Sequence, residues 1–396
     1  MPPKKTSEQP PLLLGRPGNN LKAGIVGLAN VGKSTFFQSI TKSFLGNPAN
    51  FPYATIDPEE AKCIVPDERF DWLCDLYKPK SKIPANLTIF DIAGLTKGAS
   101  TGAGLGNAFL SHIRAVDALF QVVRCFDDAE IIHVEGDVDP VRDLDIINNE
   151  LLFKDIEWVE KYLEGAKKNA KTNGPALDKK KREEEVATTE KVLAILKDGK
   201  SVRKQAWSPK EVESINTMQL LSAKPVIYLV NLSEKDYIRQ KNKNLIKIKQ
   251  WVDEHAKGDQ IIPFSVCFEE RLTQLGNDSG EEAIVEECKK LGTKSMLPKI
   301  ITTGYTALNL IYYFTAGPDE VRAWTIQRGT KAPAAAGVIH TDFEKTFILG
   351  EITPYADLKE NGSEAAAKAA GKTRSQGKEY VMNDGDLVYW KCGKKG

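Results

Sequence analysis

The chain has almost no net charge: 55 Lys and Arg against 54 Asp and Glu leave +1 over 396 residues. A protein that coats itself in nucleic acid needs a basic excess, so a global basic field is excluded and any RNA contact has to be a local patch. Cysteine is also sparse. The six, Cys63, Cys74, Cys125, Cys267, Cys288 and Cys392, include no C-x-x-C pair, a pattern of free thiols in a reducing compartment that argues against a zinc site or a disulfide frame. No apolar run approaches the ~20 residues of a membrane span, and the opening Met1-Pro2-Pro3-Lys4-Lys5 is no secretory signal. The expectation is a cytoplasmic protein with no membrane partner, and the length suggests two or three domains.

Against this neutral background one segment stands out. Gly27-Leu28-Ala29-Asn30-Val31-Gly32-Lys33-Ser34-Thr35 fits G-x-x-x-x-G-K-[ST]. The apolar run Leu21 to Val26 has the length of a buried strand and Ser34 to Ile40 continues as a helix, so the loop joins a strand to a helix N-terminus. There the backbone N–H groups of Asn30 to Thr35 curl around a phosphate chain that also faces the positive end of the helix dipole. Lys33 reaches the outer phosphates and the Ser34 hydroxyl helps to hold Mg²⁺. The reading is a site for a nucleoside triphosphate.

Two further segments narrow the class. Leu87 to Phe90 forms an apolar strand ending in Asp91, a carboxylate for the Mg²⁺ side, and three residues later Gly94 can approach a γ-phosphate through its N–H: the D-x-x-G feature of switch proteins. Between the two motifs lies Asn50-Phe51-Pro52-Tyr53-Ala54-Thr55-Ile56-Asp57-Pro58, whose Thr55 is placed to coordinate Mg²⁺ only while the γ-phosphate is present. Base recognition departs from a common GTPase. The strand Pro225 to Val230 runs into Asn231-Leu232-Ser233-Glu234, where Asn-Lys-x-Asp would read guanine. Leu232 replaces the lysine stem that packs on the ring and Glu234 the aspartate that accepts from guanine, which puts guanine reading in doubt. Ile261 to Cys267 reads as the last strand, with Ser265 opening a loop near the base.

These segments, together with Gly-Leu-Gly-Asn-Ala-Phe-Leu-Ser-His-Ile (104 to 113) and Phe-Thr-Ala-Gly-Pro-Asp-Glu-Val-Arg-Ala-Trp-Thr (314 to 325), resemble the Obg-like ATPase (YchF) family of eukaryotic cytosolic type over nearly the whole chain. The resemblance implies ATP preferred over GTP, with Leu232 near the adenine, and a role around the ribosome or in stress regulation. One departure is Ala29, where family members usually have proline; its side chain makes no phosphate contact in the motif.

Periodicity sets the organisation. The fold class is α/β: a P-loop NTPase of G-domain type carrying an inserted antiparallel helical hairpin and a C-terminal β-grasp, TGS-like domain. The expected parts are a tail over 1–20, the G domain over 21–140 and 222–300, the helical insertion over 141–221, and the C-terminal domain over 305–392. In the insertion Leu144, Ile147 and Leu151 share one face, and Leu152, Ile156, Val159 and Leu163 the next. After a Lys-rich tip, Val186, Thr189, Leu193 and Leu196 repeat at heptad spacing. The tip reads as a solvated loop or an RNA contact. In the C-terminal part, strand-like runs at Glu320 to Gln327, Thr346 to Glu351 and Asp386 to Lys391 flank a helix over Ser363 to Ala370. Arg322, Trp324, Arg328 and Lys331 form a stacking and phosphate-binding face, or Trp324 is core.

Catalysis is less determined than binding. A Ras-like switch orients its attacking water with a Gln directly after D-x-x-G, but that position is Leu95, which can neither donate nor accept. Either another group positions the water or the intrinsic rate is low until a partner helps. Past the mobile-looking Gly98, Gly102, Gly104 and Gly106, His112 is a candidate water-orienting residue, a position the resemblance also implies, or a surface helix residue. In related P-loops an asparagine at the Asn30 position can help to hold K⁺ beside the phosphates. Three functions stay open: a slow ATP-hydrolysing switch that addresses a ribosome or another protein, an ordinary Obg-type GTPase in which Glu234 still reads guanine, and a nucleotide-gated scaffold with negligible turnover.

Overall fold

The computed structural model describes residues 14–15, 18–44, 60–92, 106–128, 133, 135–172 and 174–393, with the side chains of 106–110 excepted. The run ahead of the glycine loop is β1 (Lys22–Val26), buried from Ala23 onward, and α1 (Lys33–Phe44) begins at the lysine itself. Then come β2 (Glu60–Ile64), α2 (Glu68–Tyr77), the short β3 (Ser81–Ile83), β4 (Asn86–Asp91), α3 (Gly106–Ala115) and β5 (Ala118–Cys125). Every position of β5 is buried, as expected of a central strand covered on both faces.

The chain then leaves the sheet. Asp139 caps α4 (Pro140–Ala170), accepting from the backbone N–H groups of Val141 and Arg142, with Pro140 at the first helical position where its missing N–H costs nothing. It returns along α5 (Ala176–Lys197), a 3-10 turn at Val202–Lys204 and α6 (Pro209–Met218), which opens with a Ser208–Glu211 capping box. The hairpin is therefore packed by a third helix that the sequence reading lacked. Leu152, Val159, Val192, Leu196, Ile215 and Met218 form its shared core. The buried face of α5 is shifted from the expected register: Thr189, Val192 and Leu196, spaced three and four apart, are buried while Val186 and Leu193 are only half-buried. The return to the sheet is tied by buried Asp155, whose carboxylate accepts from Leu221 N (2.9 Å), Ser222 N (2.8 Å) and Ser222 Oγ (2.6 Å).

The sheet resumes with β6 (Val226–Leu232), α7 (Glu234–Arg239), α8 (Leu245–His255), β7 (Gln260–Phe264), α9 (Val266–Ser279), α10 (Glu281–Leu291) and α11 (Leu297–Ala307). Its strand order is β2-β4-β1-β5-β6-β7, parallel throughout except for β2. Phe36 on α1 meets Phe120 and Phe264 edge-on, which presses the phosphate-loop helix onto the sheet centre. Ser265 does not open a loop, as the sequence suggested: it stands at the cap position of α9, which starts immediately after β7.

The rest of the chain is β8 (Leu310–Ala316), β9 (Glu320–Gln327), α12 (Ala332–Ile339), α13 (Thr341–Lys345), β10 (Phe347–Pro354), α14 (Tyr355–Asn361), α15 (Glu364–Ala369), β11 (Arg374–Gln376) and β12 (Asp386–Cys392). The second sheet runs β11-β10-β12-β8-β9-β3, with β12 parallel to β8 at its centre and α12 packed on it, a β-grasp arrangement. Its last strand comes from the first third of the chain. β3 pairs in parallel with β9, Ser81 opposite Glu320 and Ile83 opposite Arg322, so the second sheet is not built from the C-terminal residues alone. Arg69 fastens the same junction, bonding Asp67 and, at 3.1 Å, Asp384, while Tyr312 donates to Asp67.

Trp324 is neither fully core nor a free platform. It is half-buried, donates from Nε1 to Thr315 Oγ1 at 2.9 Å and carries the Arg322 guanidinium 3.8 Å from its ring centroid. Arg328 and Lys331 are exposed, and Lys331 pairs with Glu379.

Glu269 on α9 is almost fully buried and accepts from Ser295 Oγ at 2.6 Å and Met296 N at 2.7 Å, tying α9 to the start of α11. Burial pushes its carboxyl up to about 7. A raised carboxyl favours folding while it is protonated, so its contribution is lost as pH rises from the unfolded value of about 4.3 through 7. Glu269→Gln keeps one acceptor oxygen for Met296 N, offers its amide N–H to Ser295 Oγ as the protonated carboxyl offers its O–H, and does not titrate. The melting temperatures of the two proteins are therefore expected to lie close together at pH 5 and to diverge by pH 8, the glutamine form being the more stable; thermal denaturation across that range checks it, and parallel curves would refute it.

Candidate functional site

The glycine loop has its shape for steric reasons. Gly32 has φ +97°, and a Cβ there would stand 2.6 Å from Asn231 Nδ2; a Cβ on Gly27 would meet the Val122 carbonyl at 2.7 Å. Asn30, with φ 63°, also takes the left-handed conformation. Lys33 folds back so that Nζ donates to the Leu28 carbonyl at 2.7 Å. Desolvation lowers its ammonium to about 8, partly opposed by the charge of Asp91 at the end of β4. That opposition places the loop lysine and the proposed metal-side carboxylate within electrostatic reach of one another. Val31 is buried, Thr35 half-buried and Ser34 exposed in the first turn of α1.

Asn231 joins the loop to the base side. Fully buried, it donates from Nδ2 to Val31 O at 3.0 Å and accepts at Oδ1 from Val266 N at 3.0 Å. Leu232 turns into the main core at 2% exposure and lines a cavity of about 410 Å³ with Tyr237, Pro263 and Met296. Ser233 caps α7, its Oγ accepting from Asp236 N at 3.2 Å. The Ser265 hydroxyl is buried without a hydrogen-bond partner among the described residues. Glu234 forms an ion pair with Arg271 of α9 at 2.8 Å.

The remaining candidates fall in two groups. Thr55, Gly94 and Leu95 lie outside the described residues. His112 is exposed in the last turn of α3, next to buried Ile113, which faces the sheet. Sequence reasoning missed Arg124, which is buried in β5 and donates to the Asn30 carbonyl at 3.3 Å and to the Phe126 carbonyl at 3.2 Å. An arginine inside an otherwise uncharged buried strand was the available signal. Arg271 left none, because its partner is 37 residues away in sequence.

Among the described residues no cluster of three or more His, Cys, Asp and Glu could hold a metal. Exposed Ser34 and half-buried Asp91, the latter near Lys33, instead suit Mg²⁺, which takes few protein ligands and shares the rest with phosphates and water.

A family described as 50S ribosome-binding GTPase matches residues 22–161, and the YchF GTPase C-terminal family, described as a protein of unknown function, matches 310–393. The Obg-like ATPase 1 of Schizosaccharomyces pombe is 67% identical over 396 residues, covering 100% of both chains. That of Saccharomyces cerevisiae is 62% identical, covering 99% of each, and the human protein 52% identical, covering 99% of this chain and 98% of its own. The chain belongs to the Obg-like ATPase (YchF) family. A solved structure titled as the S. pombe YchF GTPase superposes with a TM-score of 0.88 at 67% identity, covering 96% of this chain and all of that one. The relatives' names speak of ATP and this title of GTP. None of the described helices is long and apolar enough to cross a membrane.

Because Lys33 is held near 8 by desolvation, a bound polyphosphate restores its charge and takes up a proton above that pH. Affinity is expected to fall as pH rises from 7.5 to 9.5. Calorimetry at pH 8.5 in buffers of different ionisation enthalpy should show proton uptake that Lys33→Met removes; buffer-independent heats in the native protein would contradict it.

Proposed function

We propose that this chain hydrolyses ATP in preference to GTP, as a slow Mg²⁺-dependent switch whose nucleotide state sets its affinity for the ribosome or another translation or stress partner in the cytoplasm. The observation that carries the base assignment is Leu232. A leucine at this position supplies no cationic stem to lie along the base, while Asn231 keeps the loop-bracing role that any nucleotide requires. The relatives' shared name supports the same choice.

Each residue has a separable task. Asn30 to Thr35 and Gly94 present backbone N–H groups to the phosphates, and Lys33 leaves the Leu28 carbonyl to pair with the outer ones. Ser34, Thr55 and Asp91 would hold Mg²⁺, which when bound neutralises charge developing on the phosphate oxygens. Ser233 and Ser265 lie beside the base. His112, or K⁺ held with the help of Asn30, orients or polarises the attack on the γ-phosphate. The boundaries 21–140 with 222–300 for the G domain, 141–221 for the insertion and 305–392 for the TGS-like domain belong to the same reading, with any RNA contact at the insertion tip or the β-grasp face.

The test is a pair of affinities. ATP should bind more tightly than GTP to the purified protein, and Leu232→Lys combined with Glu234→Asp should move the preference toward GTP; equal affinities in the native protein would remove the ATP assignment.

Turnover has its own test. His112→Ala should lower basal hydrolysis by roughly 10²-fold, with nucleotide affinity nearly unchanged, whereas Leu95→Ala should stay within severalfold of the native rate. Normal hydrolysis by His112→Ala, together with arrest when NaCl replaces KCl, would transfer the role to the ion.

A further inference from the structure

Arg271 projects from the second turn of α9, the helix whose first N–H is already bound by Asn231. Its guanidinium has two carboxylate partners, Glu234 at 2.8 Å and Glu287 of α10 at 2.8 Å, and lies 5.4 Å from the centroid of the Phe268 ring. Planar, permanently charged and pinned from three sides, it is a fixed clamp on Glu234 rather than a flexible counter-ion. Glu234 occupies the first position of α7, where the Asn-Lys-x-Asp pattern puts the carboxylate that reads guanine.

The chemistry of the two bases gives this clamp a consequence. Guanine offers two donors, N1–H and the exocyclic amine, and a free carboxylate accepts both. Adenine offers an acceptor at N1, which a free carboxylate repels. A carboxylate drawn onto α9 and α10 does neither.

We propose that Arg271 is a specificity-determining positioning residue, which holds Glu234 away from the base edge with Glu287 as its second anchor and so suppresses guanine recognition. The inference rests on the ATP reading given above and adds the device that enforces it. Arg271 and Glu234 are 39% and 33% exposed, so the pair adds little to folding and its removal leaves a folded protein.

The experiment measures equilibrium affinities for fluorescent ATP and GTP analogues in five full-length proteins. These are the native chain, Arg271→Lys, Arg271→Met, Glu287→Gln, and Arg271→Met combined with Glu234→Gln. Arg271→Met should raise GTP affinity relative to ATP by about 10-fold, the size of one weak charge-assisted hydrogen bond. Arg271→Lys should stay near the native ratio, and Glu287→Gln should fall between the two. The double variant should return to weak GTP binding, because the gain depends on the freed carboxylate. An Arg271→Met protein that keeps the native ratio overturns the inference alone, as does a shift that survives Glu234→Gln. Equal affinities for ATP and GTP in the native protein overturn the ATP reading and this inference with it.

Discussion

One buried amide sets the geometry of the nucleotide end. Asn231 binds the phosphate loop through Val31 and the first N–H of α9 through Val266, so three segments distant in sequence share one side chain. With no solvent to substitute for either partner, loss of the amide leaves a buried carbonyl and a buried N–H unpaired at once. Gly32 exists in this form because of the same contact: a side chain there would occupy the space of the amide nitrogen. Loop shape and helix placement are thus one constraint rather than two.

A second constraint links that end to the β-grasp sheet. The chain between the expected first switch and Asp91 does not stay in the G-type sheet. It passes through α2, whose cap Asp67 and Arg69 engage Tyr312 and Asp384, and through β3, which completes the other sheet. After only two intervening residues, Pro84 and Ala85, β4 begins at Asn86 and runs to Asp91. The strand that ends in Asp91 is therefore one short connector from a strand that hydrogen-bonds beside Arg322. That connector and the Arg322–Trp324 pair line a shared cavity of about 730 Å³, so whatever occupies it touches both halves.

Much of this was legible in the sequence, for a physical reason. Phosphate binding needs backbone N–H groups at a fixed spacing, so Gly27, Gly32 and Lys33 announce themselves locally; the buried strands 22–26, 118–125 and 226–232 announce themselves by largely apolar character, and 86–91 by its apolar Leu87, Ile89 and Phe90. The missing parts depend on pairing across distance. A three-residue strand such as β3 has no periodicity of its own, α6 carries only three buried apolar positions, and the buried face of α5 takes a different register from the one its apolar residues suggest. Ser265 was assigned to a loop because a cap residue and a turn residue are chemically the same; only the helix that follows distinguishes them.

The buried ionisable groups were the least readable and are the most informative. Asp155, Arg124 and Glu269 each stand where two elements that are not neighbours in the chain must be joined: the insertion to β6, the phosphate loop to the end of β5, α9 to α11. A hydrophobic side chain would fill the same volume but would leave backbone donors and acceptors at those junctions unsatisfied. The polar group is kept because it satisfies several backbone groups at once: Asp155 receives two N–H groups and a hydroxyl, and Arg124 binds carbonyls in two different segments. In this fold the apolar pattern decides which strands assemble, and a few buried charges decide how the assembled pieces are held around the nucleotide.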